Sequence, residues 1–129
     1  MIFLVMRLGI DLTRRDLQSE AKKKGRPWDM AKGFDQSAPI SKIHQVNEIG
    51  HPEDAKIWLS VNAQIRQIGN INEQIWGVPE CISKLSSYIS LKAGDLIFTG
   101  TPAGVGAIHS GDRVCGGIEG IDEIQITIK

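Results

Sequence analysis

The sequence predicts an α+β fold, rich in strand and carrying short helices, and three observations lead there. Ile124, Ile126 and Ile128 alternate with Glu123, Gln125, Thr127 and Lys129, the period of two that marks a half-buried strand. Ile57–Val61 and Ile65–Ile68 flank Asn62-Ala63-Gln64, the arrangement of a β-hairpin in which alanine stands where glycine is expected after asparagine. Helical patterning is confined to two stretches, Arg14–Lys24 and the run from Pro79 to just before Gly94.

Size and composition limit the rest. A chain of 129 residues with 41% hydrophobic and 23% charged residues reads as one soluble, cytoplasmic domain. Fifteen basic side chains balance fifteen acidic ones, which leaves no field to hold a polyanion, so nucleic acid is not expected as a partner. The longest apolar run, Met1–Met6, ends at Arg7, far short of the roughly twenty residues that cross a bilayer. Cys81 and Cys115 have no C-x-x-C spacing, and two buried, unpaired thiols are expected.

In chain order, Met1–Ile10 reads as a strand running into Asp11-Leu12-Thr13-Arg14-Arg15-Asp16. Thr13 with Asp16 three residues on resembles a capping box. The helix over 14–24 closes with three lysines, favoured at the negative end of the dipole, and Gly25 stops it. Residues 26–56 have no sustained period and are expected to be irregular, with short strands at most. Pro79 at a first helical position starts the second helix, with Ile82, Leu85 and Ile89 on one face. Leu96–Thr99 reads as a strand, Gly100–Gly106 as a glycine-rich loop, and Gly94-Asp95 and Gly111-Asp112 as two uses of one turn chemistry.

Several side chains are placed for chemistry. Asp11 lies at a strand end beside a helix start, a position that by itself suggests an N-cap and also suits a carboxylate that meets a cation. Arg15 and Gln18 share a helix face, as either a solvated surface or a pair of donors for an oxygen-rich anion. Lys32 sits between small and aromatic residues and would polarise a carbonyl if buried. The loop around Thr101 follows a strand and would offer backbone N–H groups and a hydroxyl, yet it lacks the Lys-Ser/Thr of a P-loop. His44, His51 and His109 are scattered, and no serine or cysteine occupies a nucleophile elbow.

Asp11–Gln18, Lys24-Gly25-Arg26-Pro27-Trp28 with Ala31–Asp35, and Gly94–Gly106 together resemble the fumarylacetoacetate hydrolase family, with its acylpyruvase and oxaloacetate decarboxylase members nearest in look. The resemblance implies a mixed β-sandwich roll, a homodimer, bound Mg²⁺ or Mn²⁺, and cleavage or decarboxylation of small β-dicarbonyl acids through an enolate. It matches Asp11 to a metal ligand, Arg15, Gln18 and Thr101 to substrate-binding positions, and Lys32 to the catalytic lysine. The family also carries an upstream Glu-x-Glu pair, and a His and Glu that position water. No Glu-x-Glu occurs here. Residues 1–129 are therefore expected to be one partial catalytic domain, N-terminally truncated. Three functional expectations follow: a metal-dependent hydrolase or lyase of oxo acids, a silent fragment or half of a split enzyme whose upstream half is a separate chain, and a hydroxymuconate-type isomerase or decarboxylase using the same site.

Overall fold

The computed structural model describes residues 5–129. Its centre is a four-stranded antiparallel sheet in the order β4-β3-β5-β6, formed by β3 (Lys56–Val61), β4 (Gln64–Asn70), β5 (Arg113–Ile118) and β6 (Asp122–Thr127). A two-stranded sheet pairs β1 (Val5–Met6) with β2 (His44–Gln45). The helices are short: α1 (Arg15–Lys23), α2 (Asp29–Lys32), α3 (Val46–Ile49) and α4 (Val78–Ser86), with a 3₁₀ turn at Ile71–Glu73. The α+β, strand-rich expectation holds.

The first strand continues beyond its formal end as extended chain. Ser41 N–H donates to Leu8 O, Ile10 N–H to Pro39 O and Leu12 N–H to Ser37 O, each at 2.9 Å, so residues 37–45 run antiparallel to 5–12. This pairing turns Leu8 and Ile10 inward. Ile10, Val61 and Val114 form the buried core, with Leu12, Leu59, Ile108, Ile124, Ile126 and Ile128 packed on it. Met1–Leu4, the start of the expected strand, lies outside the described residues.

Helix α1 ends as its sequence dictates. Gly25 adopts φ +60°, Gly25 N–H reaches Lys22 O and Arg26 N–H reaches Ala21 O, the double bond of a Schellman closure. Its start departs from expectation. Arg14 is the N-cap and no side chain caps the helix, because the Thr13 hydroxyl accepts from Lys32 Nζ at 2.8 Å instead. Asp11 is likewise not a cap.

Three other expectations are corrected. Helix α4 starts at Val78 and stops at Ser86 rather than running towards Gly94: the Ser86 and Ser87 hydroxyls donate to Ser83 O and Lys84 O, competing for carbonyls in the last turns. Leu96–Thr99 is irregular chain, since a strand exists only where a neighbour supplies a ladder. Cys81 and Cys115 are free but only half-buried. The repeated Gly-Asp is turn chemistry as expected: Asp95 accepts from Lys92 N–H and Asp112 from His109 N–H, after Gly94 and Gly111 with positive φ.

The β3–β4 hairpin turns on two residues, Asn62 (φ +51°) and Ala63 (φ +65°), with Gln64 already paired to Val61. Asn62 is anchored by donation to Asp112 Oδ1 and acceptance from Arg113 N–H. Ala63 bears the cost of a left-handed conformation, about 1–2 kcal/mol for an L-residue. Ala63→Gly relieves it and gives back part in unfolded-chain entropy, so a net gain on the order of 0.5–1 kcal/mol is expected in denaturant titration.

Two carboxylates tie loops to this sheet. The His109 backbone N–H, then the Asn62 amide, hold the Asp112 carboxyl below its ordinary range. The His44 ring, which donates at 3.1 Å from β2 to β6, does the same for Asp122. A depressed folded-state value contributes stability above the unfolded carboxylate pKa, near 3.9, and loses it as pH falls through the folded value. The thermal midpoint is expected to drop between pH 5 and pH 3, and to drop less steeply in Asp112→Asn.

The surface is large for the mass. The chain exposes 9367 Å², whereas a compact monomer of its size shows about 6,800 Å². Ile75 is 95% exposed, Met30 71% and Tyr88 72%. Large apolar side chains left this exposed are candidates for contact with further protein.

Candidate functional site

Asp11, Thr13 and Lys32 meet where the first extended segment passes α2. Lys32 is the last residue of α2, and its Nζ donates to Asp11 Oδ2 and Thr13 Oγ1, both at 2.8 Å. Backbone bonds hold the helix there: Arg14 N–H donates to Ala31 O, and Ala31 is buried at 1% exposure. The segment expected to be irregular thus contains the helical turn that aims the lysine. The Lys32 and Asp11 side chains are 35% and 46% exposed, so the pair faces outward and remains open to a ligand.

Arg15 and Gln18 open α1 immediately beyond this cluster. Arg15 Nη1 donates to Gln18 Oε1 at 3.0 Å, which aligns the guanidinium with one face of the helix. Arg14 lies over the Phe34 ring at 4.5 Å, fixing the α1–α2 corner through a cation–π contact.

Thr101 stands apart from the lysine cluster, with no hydrogen bond to it among the described residues. The two segments approach at Gly9, where a Cβ would fall 2.7 Å from the Phe98 ring. Arg7, Gly9, Ile57, Phe98, Thr99 and Gly100 line a small cleft between them.

Sequence reasoning missed the group that holds Thr101. Gln67 Nε2 donates to Thr101 Oγ1 and to Pro102 O, both at 2.7 Å, and Gln67 is buried at 9% exposure. Gln67 pairs with Leu59 while Ile65 pairs with Ser60, leaving Arg66 as an extra residue in β4. This bulge puts Gln67 on the side of the core residue Leu59; without it the register would turn the amide to the other face. Gly104 seats the loop on the same bulge, for a Cβ there would lie 2.0 Å from Arg66 O. Gln74 adds a bond to Thr99 Oγ1 at 2.8 Å. The available sequence signal was an amide between Arg66 and Ile68 in the hairpin's second strand.

Lys32 and Arg15 thus carry positive charge at the α2 and α1 ends of one corner, and the Thr101 hydroxyl lies in a separate loop held by Gln67. A family model described as fumarylacetoacetate (FAA) hydrolase C-terminal matches residues 1–129. The chain belongs to the fumarylacetoacetate hydrolase family. A fumarylpyruvate hydrolase of a Ralstonia species is 47% identical over 120 residues, which is 93% of this chain and 62% of that protein. The mitochondrial oxaloacetate tautomerase FAHD1 of Rattus norvegicus is 42% identical over 122 residues, 95% of this chain and 55% of the other. The crystal structure of fumarylpyruvate hydrolase from Pseudomonas aeruginosa with Mn²⁺ and pyruvate superposes with a TM-score of 0.92 at 45% identity, covering 95% of this chain and 52% of that one. The chain spans about half the length of the relatives it matches.

That structure raises the question of a metal in this one. Among the described residues, no three His, Cys, Asp or Glu side chains converge to hold an ion. Asp11 is the carboxylate of the cluster, and one of its oxygens is engaged by Lys32. Mg²⁺ and Mn²⁺ take several oxygen ligands, so the described residues do not by themselves form such a centre. Among the described residues, no helix is long and apolar enough to cross a membrane.

Proposed function

We propose that this chain supplies the anion-recognising share of a site for small 2-oxo acids, acting in acylpyruvate hydrolysis or oxaloacetate decarboxylation. The observation that carries this reading is the Lys32 ammonium, held at 2.8 Å from two oxygens on an open surface beside Arg15 and Gln18. Thr101 and Arg15 bind the substrate carboxylate, Gln18 orients the adjacent oxo group, and Lys32 stabilises the oxyanion that develops at the carbonyl. In hydrolysis, water adds to the distal carbonyl and the C–C bond breaks. Its electron pair stays on the pyruvate carbon as an enolate, which is then protonated. In this reading Lys32 favours that enolate over the ground-state ketone.

We assign Asp11 as one ligand of a divalent ion, Mg²⁺ or Mn²⁺, whose other carboxylates belong to a further segment in the same polypeptide or in a separate chain. The excess of exposed surface supports such a segment, and a second copy of this chain would cover part of it as a homodimer. Free, half-buried thiols suit a reducing cytoplasm. A second reading, a catalytically silent fragment, is favoured by the solitary Asp11 carboxylate. A hydroxymuconate-type isomerase or decarboxylase would use the same enolate chemistry.

Calorimetry with oxalate, a mimic of the pyruvate enolate, separates the first two readings. Oxalate binding by the 129-residue chain that strengthens when Mn²⁺ is added supports the site. A folded chain that binds no oxalate, and that stays inactive on acylpyruvates when the upstream half of a homologous fumarylpyruvate hydrolase is supplied, overturns it.

A further inference from the structure

We infer that Gln67 is a positioning residue that fixes the polarity of Thr101, so that the threonine presents its proton, rather than only lone pairs, to an oxyanion. This rests on the reading of Thr101 as a carboxylate-binding residue and names the group that makes it one.

Pro102 O can only accept a hydrogen bond, so the Gln67 atom that lies 2.7 Å from it is the amide nitrogen and not the oxygen. The same nitrogen lies 2.7 Å from Thr101 Oγ1. It has two protons: one goes to the carbonyl and the other to the hydroxyl oxygen. Thr101 Oγ1 therefore accepts on its buried side, and its own proton is directed away from Gln67. Thr101 is exposed, so the directions left to that proton include the open side of the loop. A free hydroxyl rotates between donor and acceptor roles; this one is committed before a ligand arrives, the preorganisation that makes a donor effective towards carboxylate or enolate oxygen. The restraint is built into the sheet, because the bulge at Arg66 sets Gln67 on the core side and Gly104 lets the loop close over it.

Side-chain amide NMR on the 129-residue chain reads the contact itself. Both Gln67 Nε2 protons are expected to exchange with water at least tenfold more slowly than those of exposed Gln36, and Thr101→Val is expected to release one while Pro102 keeps the other. Exchange of both at the Gln36 rate, or no change in Thr101→Val, overturns the inference whatever the chain binds. Oxalate titration, with Mn²⁺ and without it, reads the consequence. Gln67→Glu, whose carboxylate would draw the Thr101 proton inward, is expected to weaken oxalate about tenfold to a hundredfold. Gln67→Met, of similar length and uncharged, weakens it severalfold by freeing the hydroxyl to rotate. Neither substitution should weaken binding further in the Thr101→Val background, since Gln67 acts through that hydroxyl; additive losses there overturn the positioning role. If the unaltered chain binds no oxalate under either condition, that result counts against the functional reading, and the amide exchange decides separately whether Gln67 holds the Thr101 hydroxyl.

Discussion

Gly104→Ala is expected to lower the thermal midpoint by about 10 °C, corresponding to about 3 kcal/mol for a chain of this length. Two costs coincide at this position. The residue adopts φ +101°, and the added Cβ would lie 2.0 Å from Arg66 O and 3.0 Å from Arg66 C. These are backbone atoms of a paired strand at its bulge, so no side-chain rotation relieves the clash. Either β4 or the loop must move. Movement of the loop breaks both Gln67 bonds, so the thermal loss is expected together with faster proteolysis across residues 100–106 and weaker oxalate binding. Gly106→Ala is the control: nothing lies within 4 Å of its Cβ position, and its effect should stay within about 0.5 kcal/mol. A Gly104→Ala chain as stable as its parent would refute the seating of the loop on β4.

Lys32→Ala separates function from stability in the opposite way. The Lys32–Asp11 pair is about one-third to one-half exposed, and exposed ion pairs contribute about 0–1 kcal/mol, so the midpoint should shift by only a few degrees. The chemical effect is far larger, because removing one preorganised donor from a developing oxyanion costs about 10²- to 10³-fold in turnover. The completed site is therefore expected to retain its fold and lose most of its turnover, with a smaller change in substrate KM than in kcat. Lys32→Arg keeps the charge but replaces a point ammonium with a planar fork, and is expected to restore binding more than turnover. Turnover unchanged in Lys32→Ala would remove Lys32 from the reaction.

The positions of these two residues differ in how far they can be read from sequence. Lys32 was recognisable from its motif, and the surprise lay in its surroundings: α2 forms in a segment with no sustained period, because the Arg14–Ala31 backbone bond and the burial of Ala31 hold one helical turn that local propensity does not announce. Gly104 was legible as part of a glycine-rich loop, but the reason for glycine lay on another strand. Leu96–Thr99 failed in the reverse sense, with strand-forming residues and no ladder beside them. The second helix stopped early because serine hydroxyls found carbonyls within the turn.

What the sequence determined by itself was whatever depends on neighbours in the chain: the period-two closing strand, the Gly25 closure of α1, the two Gly-Asp turns, the hairpin around Asn62-Ala63, and the family motifs in which Asp11, Arg15, Gln18, Lys32 and Thr101 stand. Only the tertiary structure decided which of these meet. It joined Asp11 and Thr13 to Lys32 and took the threonine away from the helix cap. It also set Gln67 beneath Thr101 through a bulge of one residue. The physical reason is that hydrogen-bond partners across the chain, 19 residues apart for Thr13 and Lys32 and 34 for Gln67 and Thr101, depend on strand register and loop seating, which local pattern does not encode.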